Sequence, residues 1–199
     1  MSGEDRPAGV LRWVSAIAVA QASGLLLSAL LGHLSGGFGE PTPAMAIAGI
    51  LGAGLLEGAL IGGAQAWAVG FRGGARRRWI ALTSLAFGLW WAAGIVASLF
   101  EPAEPSRRMV VVVALVAGGG LGLLVGGLQA GRRPPSRRAA WVGANVVGWA
   151  AGLLLAALAA ELVPAGPNTA LVFAIHALGG AATGSVVGLT TSPWRPEAR

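Results

Sequence analysis

The chain has no cysteine, no lysine and very little charge of either sign. Without cysteine there is no disulfide framework and no thiol chemistry. Charged residues make up 11% of the 199 residues, against about 25% in an ordinary soluble domain. Eight acidic residues and two histidines, with no cysteine, are too few for a convincing metal site. No H-E-x-x-H, Walker loop or dinucleotide-binding signal stands in a suitable context, because the glycine runs lie inside apolar segments where phosphate cradles do not form. No catalytic residue, metal or other cofactor is expected. A haem held by two histidines is a remote option only, since His33 and His176 would have to share one depth on facing helices.

What the chain does have is hydrophobic length. Apolar residues reach 55%, the mean hydropathy is +0.70, and 33 residues are glycine. Six apolar segments can be counted, at approximately Val14–Leu34, Ala44–Val69, Trp79–Phe100, Met109–Ala130, Ala140–Ala160 and Thr169–Thr190. Each is long enough for one helical crossing of the hydrocarbon layer, which takes about 20 residues. Only helices or closed barrels satisfy their backbone in lipid, and no alternating ten-residue strand pattern is present. The first segment has too long an apolar core for a cleaved signal peptide, and no A-x-A-like site follows it.

All 14 basic residues are arginine, giving a formal charge of +6 and a pI near 11.7. Their placement speaks for topology and not for nucleic acid. Arg6 and Arg12 precede the first segment, and Arg72, Arg76, Arg77 and Arg78 lie between the second and third. Arg132, Arg133, Arg137 and Arg138 lie between the fourth and fifth, and Arg195 and Arg199 follow the sixth. The other three connections hold only Arg107 and Arg108. By the positive-inside rule both termini are cytoplasmic, in a bacterial inner membrane. Trp13, Trp67, Trp79, Trp141 and Trp194 cluster at the same edge and read as an interfacial aromatic belt.

The segments repeat. Gly54, Gly58, Gly62 and Gln65 in the second are matched by Gly118, Gly122, Gly126 and Gln129 in the fourth. Gly180, Gly184, Gly188 and Thr191 follow in the sixth, at separations of 64 and 62 residues. Arg12-Trp13, Arg78-Trp79, and Arg138 with Trp141 open the odd segments. Glu40-Pro41, Glu101-Pro102, and Glu161 with Pro164 mark their outer ends. The expected fold is therefore all-α: a single transmembrane domain over residues 1–199, six helices arranged as three parallel two-helix repeats (about 10–70, 76–131 and 137–192) in a pseudo-threefold bundle.

At about 100° per residue, positions 54, 58, 62 and 65 fall within about 80° of one another. The glycines let a neighbouring backbone approach closely, and the terminal Gln or Thr then sits on a helix–helix contact. The glycine positions are expected to pack, and Gln65, Gln129 and Thr191 either clasp neighbouring helices or line a constriction on a common axis. Glu57 breaks the repeat, since Leu121 and Thr183 occupy its equivalent positions. An ionisable group at bilayer depth costs on the order of 2.5–3.5 kcal/mol on insertion scales and is a functional-site candidate. Its protonation is set by its surroundings, which is the chemistry of proton-linked transport. The plainer alternative is a neutral Glu bonded to a carbonyl across a glycine contact. His176 lies about 10 Å further along by the helical rise, so a Glu57–His176 link would run through Thr183 or Ser185 and water, and the commoner outcome for such a residue is a lone His bonded to backbone or water. Gln21, Asn145, Thr83 and Ser84 add polarity to the odd helices. Trp90, Trp91 and Trp149 lie deep enough to wall a cavity, and bulky core packing explains them equally well; Glu40, Glu101 and Glu161 could attract cations at an outer mouth, with solvated helix ends as the plainer explanation.

The segment Ile175-His176-Ala177-Leu178-Gly179-Gly180-Ala181-Ala182-Thr183-Gly184 resembles the sixth helix of rhomboid intramembrane proteases. That family has six core helices and uses the corresponding His as a base. The family's G-x-S-G nucleophile has no counterpart here, because Gly118 to Gln129 contains no serine, and its H-x-x-x-N is absent. A base without a nucleophile has nothing to activate, so proteolysis is not expected. Three two-helix repeats are also the plan of mitochondrial carriers, whose P-x-[DE]-x-x-[KR] signature is missing. The repeated G-x-x-x-G-x-x-Q helices resemble uncharacterised bacterial multi-pass membrane proteins, a resemblance that implies location and topology and no activity. Two functions remain: transport or permeation of a small solute or ion, proton-linked through Glu57, or a non-catalytic structural or accessory subunit of a membrane complex. The partners expected are the lipid bilayer, with a membrane protein or a second copy of the chain, and no nucleic acid.

Overall fold

The computed structural model describes residues 5–35, 42–100, 106–131, 133–163 and 169–196. These form α1 (Asp5–Ser35), α2 (Pro43–Val69), α3 (Gly73–Ser98), α4 (Arg107–Ala130), α5 (Pro135–Ala160) and α6 (Thr169–Thr191), with a 3-10 turn at Ser192–Trp194. All six α-helices are long and apolar enough to cross a membrane. The chain is thus all-helical and built as a multi-pass membrane protein. The helices begin earlier than the apolar segments do. α1, α3 and α5 each take their arginines into the first turns, where nothing breaks the helix and Pro135 at the start of α5 suits a first-turn position.

Ser106 and Thr42 accept from the backbone N–H groups of Met109 and Met45 and so start α4 and α2. At the other end of α2, Gly70 takes φ +84°, and its N–H donates to the carbonyls of Ala66 and Trp67. A left-handed residue there closes the helix and lets the chain turn into α3 within three residues, a conformation glycine adopts without strain.

The helices close in chain order: each packs on the next, and α6 packs on α1. The glycine-bearing faces decide which seams are tightest. A Cβ at Gly58 would lie 2.6 Å from the Ser84 Cα, one at Gly184 would lie 2.6 Å from the Ala18 Cα, and one at Gly122 would overlap the Asn145 carbonyl. Thus α2 presses on α3, α4 on α5 and α6 on α1, backbone against backbone. In lipid such seams gain dispersion contacts that bulkier residues would prevent.

The interior is built from residues four apart, which share a helix face. On the odd helices these are Trp13, Ile17 and Gln21; Trp79, Thr83 and Phe87; and Trp141, Asn145 and Trp149. On the even helices they are Gln65, Ile61 and Glu57; Gln129, Val125 and Leu121; and Thr191, Val187 and Thr183. None of these side chains exposes more than 4% of its surface. All lie in the half of the bundle toward the arginine-rich end. Pro43–Ala53 of α2, in the other half, holds no buried residue.

Candidate functional site

The arginine-rich end of the interior closes on three tryptophans. The Trp13 and Trp141 rings lie 6.4 Å apart and those of Trp79 and Trp141 6.2 Å. The belt expected at these positions is corrected here: Trp13, Trp79 and Trp141 point inward, while Trp67 and Trp194 stay exposed. The cause is polar. Trp13 Nε1 donates to Thr191 Oγ1 at 3.0 Å, and Trp79 Nε1 donates to Gln65 Oε1 at 3.0 Å. Trp13 and Trp79 thus have their N–H groups satisfied inside, so their burial gains area without stranding a donor, whereas Trp141 is held by its ring, between the other two tryptophans and under Arg133.

Gln129 donates to Gln65 Oε1 at 3.0 Å and to Thr83 Oγ1 at 2.9 Å. The three repeat-end residues therefore behave differently. Gln65 and Gln129 meet, whereas Thr191 is taken up by Trp13 and by its own helix, donating to the Val187 carbonyl at 2.6 Å. Asn145 Nδ2 likewise donates back to the Trp141 carbonyl, and Thr183 Oγ1 donates to the Gly152 carbonyl across the α5–α6 seam.

At the far edge of the interior sits Glu57. Gln21 Nε2 of α1 donates to its Oε1 at 2.8 Å, and Trp91 Nε1 of α3 donates to its Oε2 at 3.2 Å. Gly24 makes room for it, since a Cβ there would come within 2.9 Å of the Glu57 Cγ. Three helices thus hold one carboxyl group. No bridge joins Glu57 to His176, which stands as a lone histidine bonded to backbone. His176 Nδ1 bonds the Val172 carbonyl of its own helix at 2.8 Å, Thr183 is engaged with Gly152, and Ser185 donates to Ala181. The separation in helical rise is too large for any of these side chains to span while each has a nearer carbonyl.

Two partners of Glu57 escaped sequence reasoning. From the sequence Gln21 reads as scattered polarity and Trp91 as cavity wall or core packing. The signal was present: apart from Ser15, Ser23 and Ser28, Gln21 is the only polar residue between Trp13 and His33, four residues from each of Ile17 and Leu25 on one face. Of the other deep tryptophans, Trp149 is fully buried against Phe87, ring centroids 5.3 Å apart, and Trp90 donates to the Ala117 carbonyl.

Arg133, in the α4–α5 connection, was counted only as a topology signal. Its guanidinium lies 3.7 Å from the Trp141 ring centroid, donates to the Trp194 carbonyl and is buried. Burial, with Arg137 nearby, lowers its pKa to about 10. At the opposite end Glu161 pairs with Arg107 at 3.4 Å, an exposed contact of little energetic weight. Glu40 and Glu101 lie outside the described residues, as does the side chain of His33.

Several buried polar atoms have no hydrogen-bond partner among the described residues: Gln21 Oε1, Gln129 Oε1, Asn145 Oδ1, the indole nitrogens of Trp141 and Trp149, and Nε and Nη2 of Arg133. Between α3 and α4, at the arginine-rich end, a cleft of about 10 Å3 is bordered by Arg78, Trp79, Leu128 and Gln129. No group of three or more metal-ligating side chains occurs among the described residues.

No family model, curated protein or solved structure matches the chain.

Proposed function

We propose that the chain is a protein of the bacterial cytoplasmic membrane with both termini inside. In this reading three parallel two-helix repeats surround a pseudo-threefold axis, and the bundle moves a small solute or ion through its centre, coupled to protonation of Glu57. The arginine distribution supports the orientation. The repeat is supported by the matched inward triplets and by the three glycine seams, each joining an even helix to the odd helix after it, with α6 closing on α1.

The observation that carries the transport reading is the position of Glu57. It ends a buried interior that has polar groups at every level: Gln65, Gln129 and Thr191 toward the tryptophans, Thr83 and Asn145 one turn deeper, Thr183 at the repeat position equivalent to Glu57, and Gln21 beside the carboxyl. A core serving packing alone gains nothing from such groups, each of which must be satisfied in a medium without water. Intramembrane ionisable groups facing a bundle interior mark transport paths and proton relays.

The test is flux in proteoliposomes loaded with a pH-sensitive dye. An imposed gradient should drive solute- or proton-dependent signals with the native chain and none with Glu57→Gln. Identical behaviour of the two proteins sinks the reading.

A second reading, a structural or accessory subunit, is favoured by one observation. The backbone contacts at the α4–α5 and α1–α6 seams and the tryptophan closure fill the interior tightly. It predicts co-purification with a partner, or self-association, after gentle detergent extraction.

A further inference from the structure

We propose that Glu57 exchanges protons with the arginine-rich end of the bundle along a short file of waters, held by the unpartnered polar atoms of α5 and its neighbours. This rests on the transport reading and deepens it, naming the proton as cargo and giving its route.

The route follows one helix face. Trp141 Nε1, Asn145 Oδ1 and Trp149 Nε1 are buried, successive at four-residue intervals on α5, and without a partner among the described residues. Four residues rise about 6 Å. A water making two hydrogen bonds of about 2.8 Å spans nearly the same distance. The groups also alternate as donor, acceptor and donor, so a water between each pair finds one group to accept from and one to donate to.

Two neighbouring helices extend the file at its ends. Gln129 of α4 offers an unpartnered Oε1 at the level of Trp141, where the tryptophan rings meet. Gln21 of α1 offers its own Oε1 two turns deeper, and its amide nitrogen already donates to Glu57. The last acceptor of the file thus belongs to the residue that touches the carboxyl group. Leaving a buried donor or acceptor bare costs about 1–3 kcal/mol. Turning the amides end for end does not relieve this, because the indole N–H groups remain. Internal water bonding several such atoms is the usual resolution.

The way in is the cleft between α3 and α4. Its roughly 10 Å3 is about the space one water needs, and Gln129 borders it. The packing between α3 and α4 is also the least extensive of the six seams.

A proton arrives on a water in the cleft. Each water, bonded to the next and steadied by these side chains, accepts one proton and releases another, and the last, held by Gln21 Oε1, gives up an O–H proton to a Glu57 oxygen as it takes one from the water before it, converting carboxylate to carboxylic acid. The new O–H needs an acceptor. Rotation of the Gln21 amide presents Oε1 in place of its N–H. The residues facing Glu57 are Gln21 and Gly24 of α1 and Trp91 of α3, none of them ionisable in the working range. The charges along the route are the guanidiniums of Arg133, stacked on Trp141, and of Arg78 at the cleft. Both repel a migrating proton as they repel any cation, so a metal ion is excluded by the narrowness of the cleft and not by charge.

Infrared difference spectroscopy of the chain in lipid nanodiscs tests this without any flux assay. A carboxylic C=O band that grows on acidification and vanishes in Glu57→Gln belongs to Glu57. Its shift on transfer to D2O reports proton exchange. Exchange in the native chain is expected to be complete within mixing. Asn145→Leu and Trp149→Phe, which remove successive members of the file, are each expected to slow it by about tenfold or more. Trp90→Phe, whose N–H is spent on the Ala117 carbonyl, should leave it unchanged. Should Asn145→Leu fail to fold, Trp149→Phe keeps an aromatic ring at the site and carries the test alone. Absence of any titrating Glu57 band, or exchange as fast in Trp149→Phe as in the native chain, overturns the proposal. Fast, file-dependent exchange without flux would retain the file and remove the transport reading. Flux with exchange indifferent to these variants would do the reverse.

Discussion

Gln129 of α4 donates to Oε1 of Gln65 on α2, 3.0 Å away and 64 residues earlier in the chain. α2 and α4 do not otherwise pack on one another. The bond therefore crosses the interior, and its second N–H reaches Thr83 on the intervening α3. With Trp79 donating to the same Gln65 oxygen, one carbonyl oxygen ties three helices together.

Gln65→Leu should consequently be the most damaging change among the repeat-end residues. It strands the Trp79 indole N–H and one N–H of Gln129, each worth about 1–3 kcal/mol when buried and bare. Thr191→Val strands only Trp13 Nε1, because the Thr191 hydroxyl is otherwise spent on its own helix. Thermal unfolding in mild detergent should place Gln65→Leu well below Thr191→Val. Equal losses would mean that the Gln65 network contributes nothing beyond a clasp on one neighbour.

The absence of native cysteine makes proximity directly measurable. A double substitution of Gln65 and Gln129 by cysteine should crosslink with a short bifunctional reagent in intact membranes, since the two side chains meet. Pairs joining residue 191 to residue 13 should also react, reflecting the Trp13–Thr191 bond. A bundle in which residue 65 reacts with neither residue 129 nor residue 79 is not the one described.

Sequence alone disclosed the six helices, the close-packing role of the glycines and the depth of Glu57, because those follow from hydrophobic length and helical period. It misplaced Trp13, Trp79 and Trp141. A tryptophan beside an arginine at a segment end has the same local signature whether it faces headgroups or the interior. For Trp13 and Trp79 the decision is made by Thr191 and Gln65, acceptors on other helices, and for Trp141 by ring contacts with those two tryptophans and Arg133. Gln21 and Trp91 were missed as partners of Glu57 for the same reason: three helices converge there, and helical period fixes each face without saying which faces meet. Arg133 was hidden among arginines that act through charge, and only the return of the chain at Ser192–Trp194 buries it.

The glycines divide sharply by environment. A Cβ at Gly122 overlaps the backbone of α5, whereas one at Gly127 meets nothing within 4 Å. Gly122→Ala should force the seam apart and cost about 1–3 kcal/mol, as overpacking does. Gly127→Ala should stabilise by about 0.5–1 kcal/mol, through lower backbone entropy in the unfolded helix. Opposite shifts in the unfolding midpoint are the expected result. A loss at both positions would mean that Gly127 faces a partner, such as a second copy of the chain.

Arg133 gives the pH dependence. Folding lowers its pKa below the usual guanidinium range to about 10, chiefly by burial and then by Arg137. The unfolded chain therefore binds this proton more tightly than the folded one above that pH. Below about 10 both states are charged and the folded state carries the full penalty of a desolvated cation. As pH climbs through that value the folded state sheds the proton first, and stability rises. Arg133→Met keeps a stem of similar length on the Trp141 ring but removes the titrating group. The native chain should thus gain on Arg133→Met as pH is raised through 10, read as the difference between their unfolding midpoints at each pH. Taking that difference cancels the contributions of every group the two proteins share. A flat difference would mean that the Arg133 guanidinium stays in water in the folded protein, and that Trp141 closes the bundle without it.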